Sequence, residues 1–137
     1  MADSTGPRHL LVVDDEPHIG LLLRPHLEEL GYRVSLARSL DGARAALAAS
    51  QGAVDGLLLD LHLPDGSGLD LLRELRSAKA TRGLPVVVIT AEGEERVHDA
   101  ARRLDATLMT KPFSPSKLMA SIDKILHQPP PSSRPEP

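Results

Sequence analysis

The sequence predicts an α/β fold, a doubly wound parallel sheet of five strands with five helices. Three observations carry this. Five short apolar runs alternate with five stretches of helical spacing, which is the pattern of parallel strands joined by helical crossovers. Four of the runs are apolar almost without interruption, as strands covered on both faces must be. The 137 residues, 41% of them apolar, suffice for one domain with a real core. With one Phe, one Tyr and no Trp, that core is built from Leu, Val, Ile and Ala.

In chain order the strands are Leu10–Val13, Val34–Ala37, Leu57–Leu59, Val86–Ile89 and Thr107–Met109. The second is the most mixed and reads as an edge strand. The first helix carries Ile19, Leu22, Leu23, Leu27 and Leu30 on one face and stops at Gly31. Pro25 lies inside it and removes an amide donor, so a kink is expected there. The second helix, Leu40 to Ala49, is rich in Ala, with Ser39 or Asp41 available as a cap. The third places Leu69, Leu72 and Leu75 together. The fourth, near Glu94 to Arg103, is short and weakly apolar, and few buried contacts make it the least anchored element. The fifth, Ser116 to Leu126, carries Leu118, Met119, Ile122 and Ile125.

The ends differ from this middle. Residues 1–7 are polar and read as a flexible N-terminal segment. Residues 8–127 form the folded unit. Residues 128–137 hold five prolines and read as a disordered proline-rich tail. That tail suits an interdomain linker as well as a true terminus.

Composition excludes several functions. A net charge of −3 leaves no basic footprint for nucleic acid. Zero cysteines exclude disulfides, thiolate metal sites and cysteine nucleophiles. No apolar run approaches the roughly 20 residues that span a bilayer, and no signal peptide is visible. A cytoplasmic location is expected.

The polar residues that follow the strands are the candidates for chemistry. The first strand runs into Asp14, Asp15 and Glu16, the third into Asp60, the fourth into Thr90, the fifth into Lys111 and Pro112. In an open parallel sheet ligands bind beyond the carboxyl ends of the strands, so these groups converge on one edge. Three neighbouring carboxylates need counter-charge. Lys111 supplies one unit, and a hard divalent cation with oxygen ligands supplies two. Taken alone, Asp14 and Asp15 could equally cap the helix that begins near Pro17. Gly66 and Gly68 read as turn residues, not as a phosphate cradle, since no Walker-type lysine follows them. The histidines at 9, 18, 26, 98 and 127 lack metal-ligand spacing and read as surface or boundary residues.

The combined spacing is more specific than any part. LLVVDDE at 10–16, LLLDLHLPDGSG at 57–68, VVVITAE at 86–92 and MTKPF at 109–113 resemble the receiver domain of two-component response regulators, in order and over essentially all of 8–127. The resemblance implies a flavodoxin-like sheet of strand order 2-1-3-4-5. It implies Asp60 as phosphoacceptor and Mg²⁺ (or Mn²⁺) held by Asp15, Asp60 and the backbone carbonyl of His62, with Asp14 binding through water or in support. Thr90 and Lys111 would hold phosphoryl oxygens, and the Lys111–Pro112 bond would be cis. Ala91 is small and would leave the pocket open to a donor. Thr90 would swing inward on phosphorylation, and the loop before the fourth helix would follow. His62 and Glu92 stand where the family tunes the lifetime of the phosphoaspartate; His62 is equally readable as an exposed loop imidazole.

One departure stands out. Leu108 occupies the place where the family usually has Tyr or Phe, so an aromatic-gated output is not expected. Phe113 is a common family feature and reads as packing.

The implied partners are a histidine kinase or phosphotransfer protein and a protein target, with no nucleic acid and no membrane, the chain being a monomer or weak dimer. The expected role is a stand-alone receiver that is not a dedicated enzyme. Two alternatives stay open: a phosphorylation-independent scaffold with the same fold, or the receiver fragment of a longer regulator. A phosphatase that uses Asp as nucleophile would want a second Asp at position 62, where this chain has His62.

Overall fold

Five parallel strands form the central sheet in the computed structural model, which describes residues 8–50, 53–91, 95–111 and 115–126. The elements are β1 (His9–Val13), α1 (Pro17–Glu29), β2 (Arg33–Ala37), α2 (Leu40–Ser50), β3 (Gly56–Asp60), β4 (His62–Leu63), β5 (Gly66–Ser67), α3 (Gly68–Ser77), β6 (Val86–Ala91), α4 (Glu95–Arg103), β7 (Thr107–Lys111) and α5 (Pro115–Leu126). The main sheet has the order β2-β1-β3-β6-β7, all pairs parallel. Counting only these five strands, that is the expected 2-1-3-4-5. The short β4 and β5 form an antiparallel hairpin directly after β3, an element the apolar pattern does not reveal.

Alternation along the strands divides the core into two layers. Leu11, Val13, Leu57, Leu59, Val86 and Val88 face α2, α3 and α4 and pack with Leu40, Ala43, Leu72 and Ala101. Leu10, Val12, Leu58, Val87 and Ile89 face α1 and α5 and pack with Leu23, Leu27, Leu118 and Ile122. Each fully buried Leu or Ile contributes about 1.5–3 kcal/mol, so β1, β3 and β6, buried on both faces, are the rigid centre that positions their carboxyl ends.

The helices hold corrections. Among the described side chains of α1 only Leu23 and Leu27 are buried, while Leu22 and Leu30 are 54% and 61% exposed. The helix packs beside the edge strand β2, and Leu30 falls in the turn after the last helical residue. The side chain of Ile19 is outside the described ones. Pro25 lies inside the helix, which continues to Glu29, and it is exposed. In α2 the cap is Ser39, whose hydroxyl accepts the Gly42 N–H at 2.9 Å. His9 and His98, expected at the surface or boundary, are buried. The ring of His9 is taken into the sheet by a 2.7 Å hydrogen bond between Nε2 and the Ser35 hydroxyl. Among the described residues no helix is long and apolar enough to cross a membrane.

Candidate functional site at the carboxyl edge of the sheet

β1 ends at Val13, and the chain turns out of the sheet at Asp14. The Asp14 N–H still donates to the Ala37 carbonyl at 3.0 Å, which holds this residue at the strand end. Its Oδ1 accepts the Glu16 N–H at 2.8 Å. The N-cap of α1 is Glu16, with no side-chain cap bond, so Asp14 closes a turn ahead of the helix instead of capping it. Asp14 is buried, 4% exposed, whereas Asp15 and Glu16 point to solvent.

β3 ends on Asp60 itself, also 4% exposed. Val13 pairs with Leu59, so one step further along the two strands Asp14 and Asp60 lie side by side. Asp60 Oδ1 accepts the His62 N–H at 3.0 Å. The following residue stays locked to the sheet: the Leu61 N–H donates to the Ile89 carbonyl, and the Gly68 N–H to the Leu61 carbonyl at 2.9 Å. A Cβ on Gly68 would stand 2.6 Å from the Asp60 carbonyl oxygen and 3.0 Å from Leu61 Cα. Gly68 is therefore required by close backbone approach beneath the acidic site, not by a turn. Gly66, with φ of +146°, closes the turn as the first residue of β5.

β6 carries Thr90, 1% exposed. Asp60 pairs with Ile89, so Thr90 is one step past Asp60 on the adjacent strand. β7 continues the edge: Thr90 pairs with Thr110 and Ala91 with Lys111. The backbone of Lys111 is thus at the same rim, while the side chains of Ala91 and Lys111 are outside the described ones. Glu92, Pro112 and the Lys111–Pro112 bond lie outside the described residues. The His62 side chain is exposed. Leu108 is half-buried and packs on the core layer of α2, α3 and α4.

The structure therefore brings Asp14, Asp60 and Thr90 together on adjacent strands. Its donors, carboxylate and carbonyl oxygens, are the class that a hard dication takes. Among the described residues no group of three His, Asp or Glu side chains could hold an ion as they stand, and the exposed Asp15 is the carboxylate set apart from the buried pair.

One residue of this region escapes sequence reasoning. Asp65, at the tip of the β4–β5 hairpin, accepts the N–H groups of Leu40 and Asp41 at 2.8 and 3.0 Å. These bonds hold its carboxyl below the usual range. The partners lie 25 and 24 positions away in the chain, so no local signal reports them.

Known proteins are similar to this chain over most of its length. The model of the response regulator receiver domain matches residues 10–123. The phosphate regulon transcriptional regulatory protein PhoB of Escherichia coli K12 is 37% identical over 124 residues, covering 88% of this chain and 52% of PhoB. The transcriptional regulatory protein ResD of Bacillus subtilis 168 is 36% identical over 128 residues, covering 92% of this chain and 51% of ResD. This chain thus spans about half the length of the curated relatives it matches. The non-phosphorylated HemR receiver domain from Leptospira biflexa superposes with a TM-score of 0.80 at 27% identity, covering 95% of this chain and 99% of that one.

Proposed function

This chain belongs to the response regulator receiver domain family, and on that premise we propose that it accepts a phosphoryl group on Asp60 and switches protein contacts in response. Receiver domains are signalling modules of two-component systems and generally not dedicated enzymes. The donor is a phosphohistidine on a histidine kinase or phosphotransfer protein. The observation that supports this reading most is the burial of Asp60 beside Asp14 and Thr90 at the end of the central strand β3.

In the step, an Asp60 carboxylate oxygen attacks phosphorus, the P–N bond breaks, and the imidazole leaves with the electron pair and takes up a proton. The His62 N–H on Oδ1 fixes the carboxylate plane, which counts because transfer of this kind rests on positioning and charge stabilisation. Asp15, Asp60 and the His62 carbonyl would hold Mg²⁺, with Asp14 in support and Asp15 turning in from solvent. The ion, when bound, supplies positive charge against the phosphoryl oxygens. Lys111 and the Thr90 hydroxyl hold those oxygens in the product, an acyl phosphate that carries about one negative charge more than the Asp60 carboxylate it replaces. Ala91 leaves room for the donor, and His62 and Glu92 set access of the hydrolytic water. Leu108, packed in the core, does not act as an aromatic gate.

Residues 8–127 are the receiver unit, located in the cytoplasm, with protein and not nucleic acid as its direct partner, acting as a monomer or weak dimer.

Incubation with Mg²⁺ and acetyl phosphate, read by intact mass, tests the reading. One phosphoryl adduct is expected in the wild type and none in Asp60→Asn. An adduct retained by Asp60→Asn overturns the assignment. No adduct in a protein shown to bind Mg²⁺, with either acetyl phosphate or a phosphorylated kinase, favours the scaffold.

A further inference from the structure

We propose that Asp65 is a positioning residue of the phosphoacceptor site, acting by clamping the hairpin that follows Asp60 onto the first turn of α2. The inference rests on the reading of Asp60 as phosphoacceptor.

The hairpin begins at His62, whose N–H holds Asp60 Oδ1. His62 pairs with Ser67 and Leu63 with Gly66, so the direction of that N–H depends on where the hairpin sits. Two contacts seat its far end. Leu63 is buried in the same core layer as Leu40. Asp65 takes the N–H groups of Leu40 and Asp41, the first two residues of α2. The fit is close: a Cβ on Gly66 would stand 2.9 Å from Leu40 Cδ1. A negative carboxylate on the positive end of a helix is also favoured by the macrodipole.

The start of α2 is capped by two separate groups. Ser39 serves Gly42, and Asp65 serves Leu40 and Asp41. Loss of either weakens α2, but only loss of Asp65 releases the hairpin. This separates a positioning role from mere helix stability.

The test is the rate of Asp60 labelling by acetyl phosphate at saturating Mg²⁺, on folded protein well below its melting temperature. Asp65→Ala should lower the limiting rate about five-fold, because a small misplacement at the nucleophile is costly, and leave the half-saturating donor concentration unchanged. Asp65→Asn keeps the shape and one acceptor oxygen, and should recover about half of that loss. Ser39→Ala should lower the melting temperature and label at the wild-type rate. Wild-type rates in Asp65→Ala and Asp65→Asn overturn the inference. So does a Ser39→Ala variant slowed as much as Asp65→Ala, since helix stability would then explain both. If Asp65→Ala does not fold, Asp65→Asn decides alone: about two-fold slower supports, equal rate overturns. Absence of any adduct in the wild type removes the Asp60 reading, and this inference with it.

Discussion

The two ends of the sheet both bury polar groups, and they do so differently. At the amino end most of the groups pair with one another, although His9 Nδ1 is buried without a hydrogen-bond partner among the described residues. His9 meets the Ser35 hydroxyl through its ring and the Asp55 carboxylate through its N–H, and the Asp55 N–H returns to the His9 carbonyl. Beside them Arg76 gathers four carbonyls, those of Leu104 at 2.6 Å, Leu84 at 2.8 Å, Arg82 at 3.2 Å and Asp105 at 3.3 Å. One guanidinium so ties the end of α3 to the approaches of β6 and β7. At the carboxyl end Asp14 and Asp60 bring like charge together, beside a buried hydroxyl. A cluster of opposite or neutral partners stabilises a fold; buried carboxylates brought side by side are the kind of grouping that marks a site.

Three measurements break or sharpen this contrast. The largest effect is expected at Gly68, where Gly68→Ala forces a methyl against the Asp60 carbonyl. Overpacking against backbone costs about 1–3 kcal/mol, and Asp60 labelling should fall more than about ten-fold as the nucleophile shifts. Normal labelling in a folded Gly68→Ala variant would show that the backbone beneath Asp60 has slack.

Next comes Arg76→Met. It should lower the unfolding free energy by about 2–3 kcal/mol, the scale of charge-assisted hydrogen bonds lost at once, with Asp60 labelling retained. Denaturant unfolding and intact mass on the same sample read both. Lost labelling at full stability would put the amino end in the chemistry and end the contrast.

The smallest effect concerns pH. Burial first, and then Arg33, lowers the pKa of His9 from its ordinary 6.5, against a raising influence from Asp55. The neutral ring is the form the fold prefers, so the unfolded chain binds the proton more readily. The stabilisation is complete above pH 6.5 and is lost as pH falls from there through the lower folded-state value. His9→Gln should flatten that part of the stability profile, measured by melting temperature between pH 5 and pH 8. An unchanged slope would move the titration to another group.

Leu23 and Leu22 show where pattern reasoning stops. Both satisfy helical spacing, yet one is buried and the other exposed, because the placement of α1 beside the edge strand β2 decides how wide a stripe is covered. The buried histidines teach the same. A His at the start of an apolar strand carries no mark of its Ser35 partner, which arrives on a neighbouring strand 26 residues later.

The sequence by itself determined the alternation of strands and helices, the parallel sheet, and the set Asp14, Asp60, Thr90 and Lys111 at strand ends. Those are properties of local period and of the polar residue that stops each apolar run. Only the tertiary structure decided that Asp14 is buried and Asp15 is not, that Gly68 is needed for close approach, and that Asp65 caps a helix lying well before it in the chain. Each of these depends on which distant segment fills the neighbouring space. That is settled when the two core layers close, and it is not written in the spacing of any one segment.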